Sequence, residues 1–134
     1  MMNSNNGTRI LVVEDDQDDS FLLTRQLAKA QIDDHVTVIG NGREAWEFLL
    51  NSTRLPIAIF LDLKLPELSG LELLERVRRE PRLESLPVIV MTGSIDPNDL
   101  DRCFQLGVTA YLPKPIELRA FIKTVAHLFP KVTA

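Results

Sequence analysis

The chain has 134 residues, a length that fits one domain large enough to bury its own hydrophobic core. Hydrophobic residues make up 45% and charged residues 25%, as in ordinary globular proteins. The formal net charge of −4 argues against direct binding to nucleic acid and against attachment to an anionic membrane. Cys103 is the only cysteine, which excludes an internal disulfide and a multi-cysteine metal site, and we expect it to be buried.

The N-terminal sequence and the length of the apolar segments predict a cytoplasmic protein. MMNSNNGTR is polar and lacks the apolar core of a signal peptide. No apolar segment approaches the ~20 residues of a membrane-spanning helix. We expect one domain over residues 8–129, a disordered N-terminal tail over 1–7 and a short C-terminal tail over 130–134.

Short apolar segments alternate along the chain with segments that have helical spacing of apolar side chains. The first kind predicts strands over 9–13, 35–39, 57–61, 87–91 and 109–112. The second predicts helices over 18–31, 43–50 and 71–80, from a cap at Asp96 to Gly107, and over 116–128. This alternation indicates an α/β domain with a mainly parallel sheet, whose strands end at one common edge, where ligands bind in such folds.

Reactive side chains follow the predicted strands at that edge. Glu14 and Asp15 follow the first strand, Asp62 the third, Thr92 the fourth and Lys114 the fifth. Clustered carboxylates raise each other's pKa unless a cation relieves the repulsion, and oxygen ligands of this kind suit Mg²⁺. A lysine and a hydroxyl facing the metal would hold a tetrahedral oxyanion, most simply a phosphoryl group.

Four motifs resemble the receiver domain of bacterial two-component response regulators. They are ILVVEDD, IFLDLKLPELSG, PVIVMTGS and AYLPKP, in the order and at the spacing of that family. The resemblance covers residues 8–129 and implies a flavodoxin-like (βα)5 fold with the strand order 2-1-3-4-5 and helices on both faces of the sheet. It also implies a signalling phosphoprotein rather than an enzyme.

The resemblance assigns the phosphorylation chemistry residue by residue. Asp62 matches the residue that takes a phosphoryl group from a histidine kinase or a phosphotransfer protein, forming an aspartyl phosphate. Asp15 matches a direct Mg²⁺ ligand and Glu14 a neighbour that acts through metal-bound water. Asp62 itself and the backbone carbonyl of Lys64 complete the expected metal site.

The same resemblance assigns a switch. Thr92 matches the hydroxyl that binds a phosphoryl oxygen, and Lys114 matches the ammonium that pairs with another. Tyr111 matches the aromatic ring that turns inward when Thr92 moves. The peptide bond before Pro115 is cis in relatives, which suits an X-Pro bond at a functional turn.

Three other functions remain open at this stage. A Mg²⁺-dependent phosphohydrolase with an aspartyl nucleophile is disfavoured because the DxDx[TV] pattern of the haloacid dehalogenase superfamily is absent after the first strand, which gives EDDQD. A flavodoxin-like cofactor binder is disfavoured because the acidic segment EDDQDDS would repel a phosphate. A degenerate receiver that binds partners without phosphorylation is disfavoured because every expected position holds an acceptable residue.

The subtype and the partners are predicted from fewer residues. REPRLESLPVIVMTGS and LDLKLP resemble stand-alone receivers that are paired with bacterial phytochrome kinases. The resemblance implies a downstream protein that binds the face made by helix 4, strand 5 and helix 5. Relatives of this subtype often pair subunits through an aromatic C-terminal tail; HLFPKVTA keeps only Phe129, so a homodimer is left as an open alternative.

Two groups of charged residues are interpreted as structural. We expect Asp16, Asp18 and Asp19 to interact with the dipole at the start of the first helix. We expect the most basic stretch of the chain to be a solvated helix face because acidic residues are interspersed in it. Its arginines are Arg76, Arg78, Arg79 and Arg82.

Overall fold

The computed structural model describes residues 7–32, 35–93 and 96–128, and it contains every predicted strand and helix. The strands are β1 (Ile10–Val13), β2 (Val36–Ile39), β3 (Ala58–Asp62), β4 (Val88–Thr92) and β5 (Ala110–Pro113). The helices are α1 (Gln17–Lys29), α2 (Gly42–Asn51), α3 (Gly70–Arg79), α4 (Pro97–Gln105) and α5 (Leu118–Leu128). Residues 1–6 of the proposed N-terminal tail and the whole proposed C-terminal tail, 130–134, lie outside the described residues, as does Phe129.

The five strands form one parallel sheet with the order β2-β1-β3-β4-β5, as the family resemblance implied. In the centre, Ile10 pairs with Ala58 and Val13 with Leu61. β3 pairs in turn with β4, so that Asp62 lies beside Met91. This register places the carboxyl ends of β1, β3 and β4 side by side at one edge of the sheet.

Alternate residues of each strand face opposite sides of the sheet and build two hydrophobic layers. Leu11 and Val13 of β1 point into the layer that is covered by α2, α3 and α4. Ile10 and Val12 point into the layer that is covered by α1 and α5. Helices therefore cover both faces, and Cys103 is a buried free cysteine in the first layer, as predicted.

Polar side chains fix where the helices begin. Asp16 caps α1 by accepting a hydrogen bond from the Asp19 backbone N–H at 2.9 Å, which confirms the structural interpretation of Asp16. Asp96 caps α4, with Pro97 in its first turn, as the sequence predicts. Ser69 and Glu72 form a capping box at α3. Within the described residues, no helix is long and apolar enough to cross a membrane.

The prediction that the whole basic stretch is a solvated helix face is wrong for Arg78. Its guanidinium donates hydrogen bonds to four backbone carbonyls, at 2.6 Å to Leu106, 3.1 Å to Glu84, 2.8 Å to Leu86 and 3.0 Å to Gly107. These carbonyls belong to the loop between α3 and β4 and to the turn that follows α4. The five donors of an arginine fit such a cluster, and a lysine would not.

Arg82 lies after α3 and is exposed, so it is solvated as predicted although it is not on the helix. Its guanidinium donates a 2.5 Å hydrogen bond to the backbone carbonyl of Ser52 and so ties the segment after α3 to the end of α2. Arg76 and Arg79 are exposed on α3, as expected for a solvated face. The interspersed acidic residues therefore predict the exposure of three of the four arginines.

Candidate functional site

The carboxyl edge of the sheet carries three buried polar residues. Glu14 directly follows β1, Asp62 is the last residue of β3 and Thr92 is the last residue of β4. Their exposed fractions are 3%, 6% and 1%. Because a buried charged group is costly unless it is paired, the environment of these side chains has to supply partners.

Three carboxylates meet at this edge. One oxygen from each of Glu14, Asp15 and Asp62 lies within 4.8 Å of the others. An octahedral ion with bonds of about 2.1 Å brings its own ligand atoms to within about 4.2 Å of one another, so this spacing suits direct and water-mediated ligands together. The oxygen-only donor set favours a hard divalent cation. The residues predicted to hold a metal therefore fit one.

Burial raises the pKa of Glu14 to about 7. The neighbouring carboxylate of Asp62 adds to this rise, whereas the Lys114 ammonium and the Asp16 backbone N–H, 3.1 Å from Oε2, oppose it. A carboxyl group with such a pKa is only partly ionised at neutral pH. A divalent cation would favour the ionised form, which is the state that a metal ligand requires.

Lys114 is the positive centre of the site. Its Nζ lies 2.6 Å from Glu14 Oε1, 2.8 Å from Asp19 Oδ2 and 3.1 Å from Asp62 Oδ2. Burial alone would lower the pKa of Lys114, but the three carboxylates together raise it, so the side chain is charged. The Lys114 backbone N–H donates to the carbonyl of Thr92 at 2.9 Å, and the Lys114–Pro115 peptide bond is cis, as the resemblance implied.

The contact between Lys114 and Asp19 is absent from the sequence prediction, which assigned Asp19 only to the helix dipole. Asp19 does lie in the first turn of α1. It also precedes Leu23 and Leu27, the buried residues of that helix, by four and eight positions. Residues with this spacing share one helix face, so the spacing is a signal that could have placed Asp19 toward the sheet.

Lys64 lies next to the carboxylate of Asp62 through its backbone. Its N–H donates to Asp62 Oδ1 at 3.2 Å, while its side chain is exposed. The loop returns to β3 closely: Gly70 N–H donates to the Leu63 carbonyl at 2.9 Å, and a Cβ on Gly70 would lie 2.1 Å from the Asp62 carbonyl oxygen. The structure thus brings Lys64 to the site; metal binding by its carbonyl stays a prediction.

Thr92 and Tyr111 lie on neighbouring strands. Thr92 pairs with Pro113 across β4 and β5, and Tyr111 pairs with Val90. The Tyr111 ring packs against the layer covered by α2, α3 and α4. Its phenolic oxygen is buried and has no hydrogen-bond partner within the described part of the chain. The roles of Thr92 and Tyr111 in a switch stay predictions.

The family comparison covers almost the whole described chain. The model of the response regulator receiver domain matches residues 10–126. This chain belongs to the response regulator receiver family. The observed strand order and the acidic cluster agree with this family, and the resemblance read from the four motifs is confirmed.

The relatives of this receiver include a response regulator of similar length and response regulators of phytochromes. Response regulator Rcp1 of Synechocystis sp. is 36% identical over 128 residues, which cover 91% of this chain and 86% of Rcp1. The bacteriophytochrome response regulator RtBRR superposes with a TM-score of 0.80 at 36% identity, covering 90% of this chain and 76% of that structure. The phosphorylated cyanobacterial phytochrome response regulator RcpA gives a TM-score of 0.77 at 29% identity, covering 90% of each chain.

A metal-bound relative is also similar in structure. The Mn²⁺-bound form of Rcp1 superposes with a TM-score of 0.76 at 33% identity, and 89% of each chain is covered. The receiver described here has the same fold and an acidic cluster at the edge of its sheet.

Proposed function

We propose that this receiver accepts a phosphoryl group on Asp62 in a Mg²⁺-dependent reaction and acts as a signalling switch. The observation that carries the proposal is that the Asp62 carboxylate belongs to the acidic cluster and that its Oδ2 lies 3.1 Å from the Lys114 ammonium. A carboxylate in this position is close both to a site for a cation and to a charged hydrogen-bond donor. Both would reduce its repulsion of a phosphoryl donor.

The two oxygens of Asp62 have different partners. Oδ1 accepts from the Lys64 N–H, and Oδ2 accepts from Lys114. One carboxylate oxygen would form the new O–P bond as the P–N bond of a phosphohistidine breaks and the imidazole leaves with the electron pair. Lys114 would then pair with a phosphoryl oxygen. Mg²⁺ held by Glu14, Asp15, Asp62 and the Lys64 carbonyl would stabilise the negative charge on the transferring group.

We propose that Thr92 and Tyr111 convert phosphorylation into a change of surface. Thr92 would turn its hydroxyl toward the phosphoryl group, which adds nearly two negative charges. The phenolic oxygen of Tyr111, which has no hydrogen-bond partner among the described residues, supports a second orientation of the ring, because an unsatisfied buried hydroxyl costs roughly 1–3 kcal/mol. A ring that gains a hydrogen bond elsewhere would recover part of that cost.

The changed surface would be the face made by α4, β5 and α5, where we propose that a downstream protein binds. Phe104 of α4 is 62% exposed and Ile122 of α5 is 42% exposed. A downstream protein that binds this face would cover both side chains.

The relatives in phytochrome signalling support a sensor histidine kinase, most specifically a bacteriophytochrome, as the phosphoryl donor. We propose that the receiver acts in the cytoplasm, with residues 8–129 as the functional domain. Membership of a signalling family supports regulation rather than turnover of a separate substrate, so we propose no enzymatic activity beyond phosphorylation and dephosphorylation of Asp62.

The experiment that tests the proposal is intact-mass measurement after incubation with acetyl phosphate, with Mg²⁺ or with EDTA. We expect one phosphoryl adduct in the wild type with Mg²⁺ and none with EDTA or in Asp62→Asn. Asp101→Asn on the exposed side of α4 is the matched control and should behave as the wild type does.

Two outcomes of that measurement favour other functions. A folded wild-type protein that binds Mg²⁺ but gives no adduct would favour a degenerate receiver that binds partners without phosphorylation. Rapid release of phosphate over many turnovers without a detectable adduct, lost in Asp62→Asn, would favour the phosphohydrolase, because a receiver that loses its phosphoryl group would release phosphate only slowly.

A further inference from the structure

The Lys114 ammonium uses its full donor capacity on carboxylates. A lysine ammonium has three N–H groups, and here the three acceptors are Glu14, Asp19 and Asp62. Glu14 and Asp62 also belong to the acidic cluster that fits a divalent cation, and Asp19 does not. Asp19 is therefore the one carboxylate partner of Lys114 among the described residues that a metal ion would not share.

A cation in the cluster changes the balance of charges around Lys114. The cation would draw on the oxygens of Glu14 and Asp62 and repel the ammonium, which is itself positive. The attraction that holds Lys114 beside Asp62 would then be weakest in the metal-loaded state, when phosphoryl transfer takes place. A carboxylate that does not bind the cation would attract Lys114 as strongly as before.

The fold holds the Asp19 carboxylate beside the Lys114 ammonium. It lies in the first turn of α1, a helix capped by Asp16 and anchored through the buried Leu23 and Leu27. Its side chain is 40% exposed, and the neighbouring Asp18 is exposed as well. Asp18 and Asp19 are thus two aspartates in the same turn of one helix, and they differ in that Asp19 contacts Lys114.

We propose that Asp19 is a positioning residue, which keeps the Lys114 ammonium beside Asp62 when a divalent cation occupies the cluster of Glu14, Asp15 and Asp62. This inference rests on the proposed function and adds to it a fourth carboxylate that acts on the lysine alone. Asp19 is not a member of the acidic cluster of Glu14, Asp15 and Asp62, and it acts through Lys114.

The direct test is nuclear magnetic resonance of the lysine ammonium groups in uniformly ¹⁵N-labelled protein, with the Lys114 signal assigned from Lys114→Arg. An ammonium held by carboxylates exchanges slowly enough to be seen. We expect the Lys114 signal in wild type, Asp18→Asn and Asp19→Asn when EDTA is present. On saturation with Mg²⁺ the signal should persist in wild type and Asp18→Asn, disappear in Asp19→Asn and return in part in Asp19→Glu. A Lys114 signal that survives Mg²⁺ equally in Asp19→Asn and Asp18→Asn would overturn the inference.

Two solution measurements complete the test. Phosphorylation by acetyl phosphate at saturating Mg²⁺ should be roughly fivefold slower in Asp19→Asn than in Asp18→Asn, as expected for one partly exposed ion pair. The Mg²⁺ affinity of the two variants, from calorimetric titration, should agree within about twofold, since each loses one negative charge near the site. A Mg²⁺ affinity that falls tenfold only in Asp19→Asn would make Asp19 part of the metal site and overturn the positioning role.

The design separates the two proposals. A wild-type protein that takes up no phosphoryl group would contradict the proposed function, while the ammonium signals would still report on Asp19. A wild-type protein that is phosphorylated, with equal rates in Asp19→Asn and Asp18→Asn, would contradict the role of Asp19 alone.

Discussion

The Lys114 ammonium lies 2.6 Å from a carboxylate oxygen of Glu14, although the two residues are 100 positions apart in the chain. Glu14 follows the interior strand β1 and Lys114 follows the edge strand β5, so the contact crosses the ends of β3 and β4, which lie between them. Both side chains are largely withdrawn from water, with exposed fractions of 1% and 16%. The pair therefore links the stability of the fold to the chemistry at Asp62.

We expect Lys114→Met to destabilise the metal-free protein by about 3 kcal/mol at neutral pH, because removing one partner leaves buried carboxylates without compensation. The free energy of unfolding can be measured by urea titration in EDTA. Lys123→Met, which removes an exposed lysine from α5, is the matched control and should change stability by less than about 0.5 kcal/mol. Equal effects of the two substitutions would contradict a structural role for the Lys114 cluster.

Glu14 should make the metal-free protein less stable as the pH rises. The folded pKa of Glu14 is about 7, above its ordinary value of 4.5, so between these values the folded state binds more protons than the unfolded state. The contribution of Glu14 to the free energy of unfolding is fully present below pH 4.5 and is lost as the pH rises through 7. A pKa difference of this size corresponds to at most about 3 kcal/mol.

The measurement is urea unfolding in EDTA at several pH values between 5 and 8, in wild type and in Glu14→Gln. We expect the free energy of unfolding of the wild type to fall by about 1–3 kcal/mol relative to that of Glu14→Gln as the pH rises across this range. Saturating Mg²⁺ should stabilise the wild type more at pH 8 than at pH 6, since the metal binds the ionised carboxylate. A difference that does not vary with pH would contradict the raised pKa.

Arg78→Met should destabilise the protein by about 2–4 kcal/mol, because it leaves several backbone carbonyls unpaired at the ends of α3 and α4. Arg78→Lys should recover only part of this loss, since a lysine cannot reach all four acceptors. Arg79→Met on the exposed side of α3 is the control, and its effect in a urea titration should stay near zero. A loss as small as that of Arg79→Met would show that water can replace the guanidinium.

Gly70→Ala should destabilise the protein by about 1–3 kcal/mol and slow phosphorylation, because the new methyl group would lie 2.1 Å from the Asp62 carbonyl oxygen and force the loop after β3 to shift. Gly93→Ala is the control, since its nearest neighbour would be the Lys114 Cβ at 3.9 Å. Thermal unfolding and the rate of acetyl phosphate uptake would be compared in the two variants. Unchanged values for Gly70→Ala would mean that the loop has room that the structure does not show.

The elements of the fold were predictable from the sequence because their signals are local. The aliphatic segments and the helical spacing between them give each strand to within about one residue of its bounds in the structure. The same pattern places Asp62, Thr92 and Lys114 at strand ends, and parallel strands bring those ends to one edge. The strand order itself came from the resemblance of the motifs to receivers, since hydrophobic periodicity does not determine which strands are neighbours.

What the sequence by itself determined, then, is the alternation of elements and the set of reactive residues at the edge of the sheet. Only the tertiary structure decided that Asp19 turns toward Lys114, 95 positions away, and that Arg78 binds the carbonyls after α3 and α4. It also decided that the Tyr111 hydroxyl is buried without a partner in the described chain. The physical reason is that these contacts depend on how each helix is rotated on the sheet and where the loops leave acceptors unpaired, which no short segment encodes.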